Sequence, residues 1–226
     1  MNFPNNIHLI GILVLGSLLP FLIAAGTCFI KFSIVFSLVR NAIGLQEVPS
    51  NLTLQGIALL MTFFVMSPVF NQAGNYMSEH PVSFSDPASV NRLVNEGLSN
   101  YRTYLTKHTD PDLAEFFVKV QKNQADLPDS HSVFGDGDSE EPSILTLLPA
   151  YALSEIKSAF KIGFYIYLPF IIVDLLVSNI LLALGMMMMS PVTIALPIKL
   201  VLFVAIDGWS RLSQGLIMQY IDIWRA

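Results

Sequence analysis

Asp174, Lys199, Asp207 and Arg211 stand where charges are rare, inside or at the start of long apolar stretches. Asp174 interrupts Phe170-Ile171-Ile172-Val173 and Leu175-Leu176-Val177, Lys199 opens the last apolar run, and Asp207 and Arg211 interrupt it. A charge at mid-bilayer costs at least ~2.5–3.5 kcal/mol on insertion scales, so such residues face protein or water. If the chain folds back near residue 190, Asp174 and Asp207 reach similar depth, sixteen and seventeen residues from the tip. Two ionised carboxylates there repel, so each needs its own cation or a proton. Asp207 and Arg211, four residues apart, can pair on one helix face. Lys31 precedes the first turn by about the same sixteen residues, and reaches Asp174 if two hairpins lie side by side. Two chemistries fit these charges: a proton relay driving transport, or structural ion pairs between packed helices or neighbouring subunits. No broken-helix substrate site of the transporter kind is visible in the sequence, which favours the structural reading.

Other chemistry is sparse. Cys28 is the only cysteine, so an intrachain disulfide is excluded. His8, His80, His108 and His131 lie far apart, without metal-ligand spacing. The run Asp136-Gly137-Asp138-Ser139-Glu140 invites a calcium reading, but its glycine is misplaced for an EF-hand loop. There is no nucleotide loop and no nucleophile with a base beside it. The expectation is a non-enzymatic protein without cofactor or metal, whose energy comes from other components. A net charge of −5 gives no nucleic-acid signature.

The elements that must position these charges are helices in a membrane. Of 226 residues 53% are hydrophobic and 13% charged, and the mean hydropathy is +0.58, too apolar for an ordinary soluble domain. No charge precedes Lys31, none lies between Glu47 and Glu79, and none between Asp174 and Lys199. A crossing helix needs roughly 20 apolar residues, and four segments qualify, near 7–30, 52–70, 162–187 and 194–218. The first does not read as a cleaved signal, since no Lys or Arg precedes it and its apolar run is too long. It is expected to stay in the mature protein. The fold class is therefore all-α membrane protein, with two helical hairpins of long, kinked helices joined by a small helical polar insert.

Residues 1–70 form the first hairpin, turning through Gly44, Pro49 and Asn51. Residues 146–226 form the second, turning near Ser190-Pro191 just past Gly185. Both read apolar helix, Gly, short linker, Pro, apolar helix, a weak sign of internal duplication. The insert, 71–145, expects helix starts at Ser85-Asp86-Pro87 and at Asp110-Pro111. Val90, Leu93, Val94, Leu98, Tyr101 and Leu105 make one apolar stripe; Leu113, Phe116, Phe117 and Val120 make another. Residues 123–142 hold six acids and no Lys or Arg and read as a mobile loop. Residues 71–146 hold 12 acids and 5 bases, leaving the rest of the chain at +2. Lys31, Arg40 and Lys199 near the short turns put those turns toward the cytoplasm, with the acidic insert and both termini outside. Lys157 and Lys161 oppose that orientation. Pro149, Pro169 and Pro197 should kink or interrupt their helices. From Leu153 to Met189 apolar character barely stops, about 55 Å as one helix against a ~30 Å hydrocarbon core. Either that helix breaks at Pro169, or it is not a simple bilayer spanner.

At the second tip stand four methionines in a row, Met186, Met187, Met188 and Met189. Four consecutive residues cannot share one helix face, so this is no packing stripe. Methionine is unbranched and polarisable and adapts its shape. A single copy could be a greasy loop at lipid headgroups. Several copies about an axis would form a soft apolar ring, excluding water and ions yet yielding to a passing chain. Composition alone leaves both readings open.

Longer motifs narrow the choice. They are Phe29-Ile30-Lys31-Phe32-Ser33-Ile34-Val35, Leu38 to Gly44, Pro49-Ser50-Asn51 and Phe63 to Val69; then Leu148-Pro149-Ala150-Tyr151, Ser154 to Phe164, Leu168 to Asp174, Gly185 to Pro191, Leu196 to Leu200 and Asp207-Gly208-Trp209. Together they resemble the FliP/SctR family, the major export-gate subunit of flagellar and virulence type III secretion systems. Lys31 stands where that family often has Arg, keeping charge without the planar fork. The lack of a cleavable signal is more similar to the virulence injectisome branch. The resemblance implies a pore-forming role in the bacterial inner membrane, for protein secretion. Several copies would assemble with the S and T subunits into a ring-like gate for unfolded proteins, alongside the V export-gate subunit and needle or inner-rod components. Such a complex sits largely above the membrane plane, which would explain the overlong helix. The family's methionine loop, a gasket in the pore, carries onto Met186–Met189, and its inter-subunit contacts carry onto Glu155 and Lys199. The competing expectation is an ion or small-solute channel or transporter using the intramembrane Asp, Lys and Arg residues. A purely structural scaffold ranks third.

Overall fold

The computed structural model describes residues 23–80, 92–125, 142–186 and 189–221, with the single positions 13, 16, 17, 20, 21 and 89. Every element among them is helical: α1 (Phe29–Ile43), α2 (Asn51–Glu79), a π-helical turn over Leu93–Gly97, α3 (Ser99–His108), α4 (Pro111–Ala125), α5 (Ile144–Ala183), α6 (Pro191–Ala205) and α7 (Gly208–Ile221). The protein is an all-α membrane protein. Helices α2 and α5 are long and apolar enough to cross a bilayer, and α6 with α7 makes a third span if their 57° bend is one broken span. Of the four expected segments, 52–70 lies in α2, 162–187 mostly in α5, and 194–218 is divided between α6 and α7. Most of 7–30 lies outside the described residues, as do the helix start at Ser85-Asp86-Pro87 and nearly all of 123–142.

Local chemistry sets most helix ends. Ser50 caps α2, its hydroxyl accepting the Thr53 N–H at 3.2 Å. Asp110 caps α4 by accepting the Asp112 N–H at 3.1 Å, with Pro111 at the first helical position. α1 ends in a Schellman motif, in which Gly44 (φ 95°) donates to Asn41 and Leu45 donates to Arg40. α5 ends the same way: Gly185 (φ 75°) donates to Leu182, and Met186 to Leu181. Both hairpins therefore leave their first helix through one hydrogen-bonding device, which is what the repeated helix–Gly–linker–Pro pattern encodes.

The prolines do not interrupt. α5 continues through Pro149 and Pro169 for 40 residues, about 60 Å at ~1.5 Å per residue, so the break considered at Pro169 is absent. α6 likewise runs through Pro197. A proline frees one carbonyl, a smaller loss than opening a whole turn to apolar surroundings.

The chain divides into two compact units that interleave along the sequence: Met1–Ile30 with Val69–Glu155, and Lys31–Pro68 with Ile156–Ala226. Helices α2 and α5 contribute to both.

The first unit is built on α3. Tyr104, Leu105, Leu147, Ala150, Tyr151 and Cys28 are buried, and the Tyr104 and Tyr151 hydroxyls hydrogen-bond each other. The Tyr101 hydroxyl donates to the Gly26 carbonyl at 2.8 Å. Gln72 docks the start of α3, accepting the Asn100 N–H at 2.8 Å and donating to Ser99 Oγ at 2.6 Å.

In the second unit α1 is the central helix, burying Phe32, Val35, Phe36 and Val39. It meets α5 closely at Gly163, where an added Cβ would lie 2.2 Å from Leu38 Cδ1. Near the tip, α5 and α6 pack through Val177, Leu181 and Ala195. Much of α5 is nevertheless exposed on this single chain, including Phe164, Tyr165, Ile172, Leu175, Leu176 and Ile180. An apolar face that wide belongs against lipid or further protein.

Candidate functional site

The second tip begins where the Schellman motif stops α5. Gly185 supplies the left-handed residue, and Met186 follows it out of the helix. Met186 and Met189 are 39% and 44% exposed, and the Met189 N–H donates back to the Met186 carbonyl at 3.3 Å. Met187 and Met188 lie outside the described residues. Pro191 then opens α6. Two large thioether side chains are thus held outward on a short turn anchored by the Val177–Leu181–Ala195 packing.

Behind the tip, Lys199 of α6 is the organising cation. Its Nζ lies 2.6 Å from Asp174 Oδ2 on α5 and donates to the Ala42 carbonyl in the last turn of α1 at 3.3 Å. One ammonium therefore ties three helices, and its place at the C-terminal end of α1 also suits that helix's dipole. The two partners differ in environment, the Lys199 side chain being 9% exposed and that of Asp174 46%. Arg40, buried near the end of α1, donates from Nη1 to the Pro49 carbonyl at 3.2 Å and holds the first turn closed.

The other sequence-selected charges are dispersed. The Lys31 ammonium is 4.7 Å from the centroid of the Tyr220 ring, a cation–π contact. Asp207 is not inside a helix: it has φ 53° and sits between α6 and α7. It does not form an ion pair with Arg211; its carboxylate accepts from Ser210 Oγ at 2.9 Å, and its carbonyl accepts the Arg211 N–H at 3.1 Å. Glu155 is buried in the first unit, 1% exposed.

Sequence reasoning missed the Tyr104–Tyr151 pair: the apolar stripe of this segment takes in Tyr101 and Leu105 but not Tyr104, and spacing does not show which hydroxyls meet. Burial pushes the Tyr101 and Tyr104 phenols above their ordinary range, and the buried neighbours Cys28 and Glu155 add to the effect at Tyr104. It also missed the Asp207 break, although the adjacent Asp-Gly pair is an ordinary turn signal. Among the described residues no three His, Cys, Asp or Glu side chains are grouped to hold a metal ion.

The FliP family model matches residues 12–216. The surface presentation of antigens protein SpaP of Salmonella typhimurium is 60% identical over 220 residues, covering 97% of this chain and 98% of that protein. SpaP of Shigella flexneri is 57% identical over 221 residues, covering 97% and 98%. The Yop proteins translocation protein R of Yersinia pestis is 44% identical over 220 residues, covering 97% and 99%. With a family match across most of its length and relatives aligned from end to end, this chain belongs to the FliP family, in its virulence type III secretion branch.

Proposed function

We propose that this chain is a pore-forming subunit of the type III secretion export gate, conducting unfolded proteins across the bacterial inner membrane and closed by a methionine gasket at Met186–Met189. The near full-length match to relatives whose names include a translocation protein carries the secretion role. The gasket is supported by the tip itself, where Met186 and Met189 point outward from a stiffly terminated helix. Flexible thioethers on several copies would seal an axis and part for a polypeptide. The chain acts as a multi-pass homo-oligomer with the S and T subunits, next to the V export-gate subunit and needle or inner-rod components, its acidic insert on the periplasmic side. It has no catalytic role. Because Asp174 already holds a cation in Lys199, the intramembrane charges serve packing rather than proton transfer.

The test is deletion of Met186–Met189 in cells assembling the whole apparatus. The expected result is a rise in ion leak while the chain still copurifies with its partner subunits. A tight membrane with normal assembly overturns the gasket. Glu155 and Lys199 bridge neighbouring copies in this reading. On the single chain Glu155 is 1% and Lys199 7% exposed, so the bridge requires both to become accessible as the copies assemble. Glu155→Lys combined with Lys199→Glu should restore assembly lost in each single variant, and failure of that rescue removes the bridge.

A further inference from the structure

On composition alone residues 191–221 would form one straight helix, yet the chain turns by 57° between α6 and α7. Pro197 is not the cause, since α6 runs through it. The turn is made at Asp207, the one non-glycine among the described residues with positive φ, at 53°. Its N–H donates to the Val204 carbonyl at 3.0 Å, and its own carbonyl accepts the Arg211 N–H that opens α7. Its carboxylate takes the Ser210 hydroxyl. Aspartate tolerates the left-handed region better than most residues, and here it ends one helix while its carbonyl accepts the first hydrogen bond of the next.

The angle is then locked by aromatic packing. A Cβ on Gly208 would stand 2.2 Å from Phe203 Cε2 and 2.4 Å from Cδ2, so the ring from α6 presses directly on the first residue of α7. That ring cannot retreat freely. Trp209 meets it edge-on at 5.3 Å and 86°, Phe170 of α5 lies at 6.3 Å, and Phe36 of α1 backs Trp209 at 6.1 Å.

We propose that Asp207 and Gly208 form a fixed elbow that aims α6 and so positions the methionine tip. They are positioning residues of the gate, and Asp207 acts through its backbone geometry rather than as a proton carrier. The consequence for gating rests on the gasket reading; the elbow itself does not. From Asp207 to Val192 the lever is about 22 Å at ~1.5 Å per residue, so roughly ten degrees of change at the elbow moves the tip by about 4 Å.

The test separates geometry from charge. Spin labels go on the exposed positions Val192 and Met218 of the full chain carrying Cys28→Ala, diluted into unlabelled assembled complex. Asp207→Asn, which tolerates the same backbone, should keep the wild-type distance, closed gate and secretion. Asp207→Val and Gly208→Ala should lengthen the distance, by up to ~5 Å for full straightening, and should raise ion leak. If Asp207→Val does not accumulate, Gly208→Ala carries the measurement. The elbow is overturned if the distance is unchanged in the variants meant to open it, or if Asp207→Asn leaks or stops secretion at wild-type distance, since the carboxylate charge would then be what matters. Should deletion of Met186–Met189 cause no leak, the gasket fails alone, and the label distance still decides the elbow.

Discussion

Lys199 and Asp174 form a 2.6 Å ion pair whose two ends lie in unequal surroundings, the ammonium 9% exposed and the carboxylate 46%. The same ammonium also reaches the Ala42 carbonyl, so the pair is the knot at which α1, α5 and α6 meet.

That inequality makes the two truncations differ. Asp174→Ala strands a buried ammonium and should destabilise the purified chain by about 2 kcal/mol, below the full buried-pair loss because the carboxylate partner is half exposed. Lys199→Met removes the buried charge and leaves only the half-exposed carboxylate without its partner, so it should cost less, ~1 kcal/mol. Thermal unfolding in detergent ranks them, and a larger loss for Lys199→Met would refute the ordering.

The two Schellman glycines make a matched pair. Gly185→Ala has open space around the new methyl, so its cost is purely the left-handed backbone at φ 75°, about 1 kcal/mol. Gly44→Ala at φ 95° meets Leu196 only at an ordinary 3.8 Å and should cost a similar amount. Asn at either position should recover much of the loss. Melting temperatures that do not separate Ala from Asn would contradict this account.

Helical glycines divide by what surrounds them. Gly56, Gly74 and Gly215 have nothing within 4 Å of a built Cβ, so alanine there should stabilise the isolated chain by roughly 0.5–1 kcal/mol. Gly163→Ala forces Leu38 aside and should cost ~1–3 kcal/mol. Equal effects at Gly56 and Gly163 in chemical unfolding would show that the α1–α5 approach is looser than described.

Alkaline pH should act on the first unit. Burial raises the Tyr101 and Tyr104 phenols above the ordinary 10.0, so the folded chain holds protons that the unfolded chain releases. Their contribution is complete below pH 10 and is lost as pH rises beyond it toward the raised folded values. Stability should therefore stay level up to about pH 10 and then fall, with tyrosinate absorbance from these two residues appearing only as the unit opens. Tyr101→Phe, which removes the hydrogen bond to Gly26, should cost ~1 kcal/mol and flatten the alkaline decline. Early ionisation without loss of helix would refute it.

Much of this protein follows from sequence alone. Charge-free windows and apolar runs identify helices in a membrane, because a buried charge and an unpaired backbone group are each too costly there. Ser50, Asp110, Gly44 and Gly185 mark helix ends because capping and left-handed turns depend on a few neighbouring atoms. The long motifs and the methionine run placed the chain in its family. Tertiary structure alone decided which charges meet. The sequence offered Asp174 either Lys31 or a proton; helix packing brings it Lys199 instead and sets Lys31 over Tyr220. Spacing put Asp207 and Arg211 on one helix face, but that inference assumed an unbroken helix. Phe203 pressing on Gly208 and the left-handed Asp207 break it, and periodicity cannot register an event that depends on rings arriving from α5 and α1.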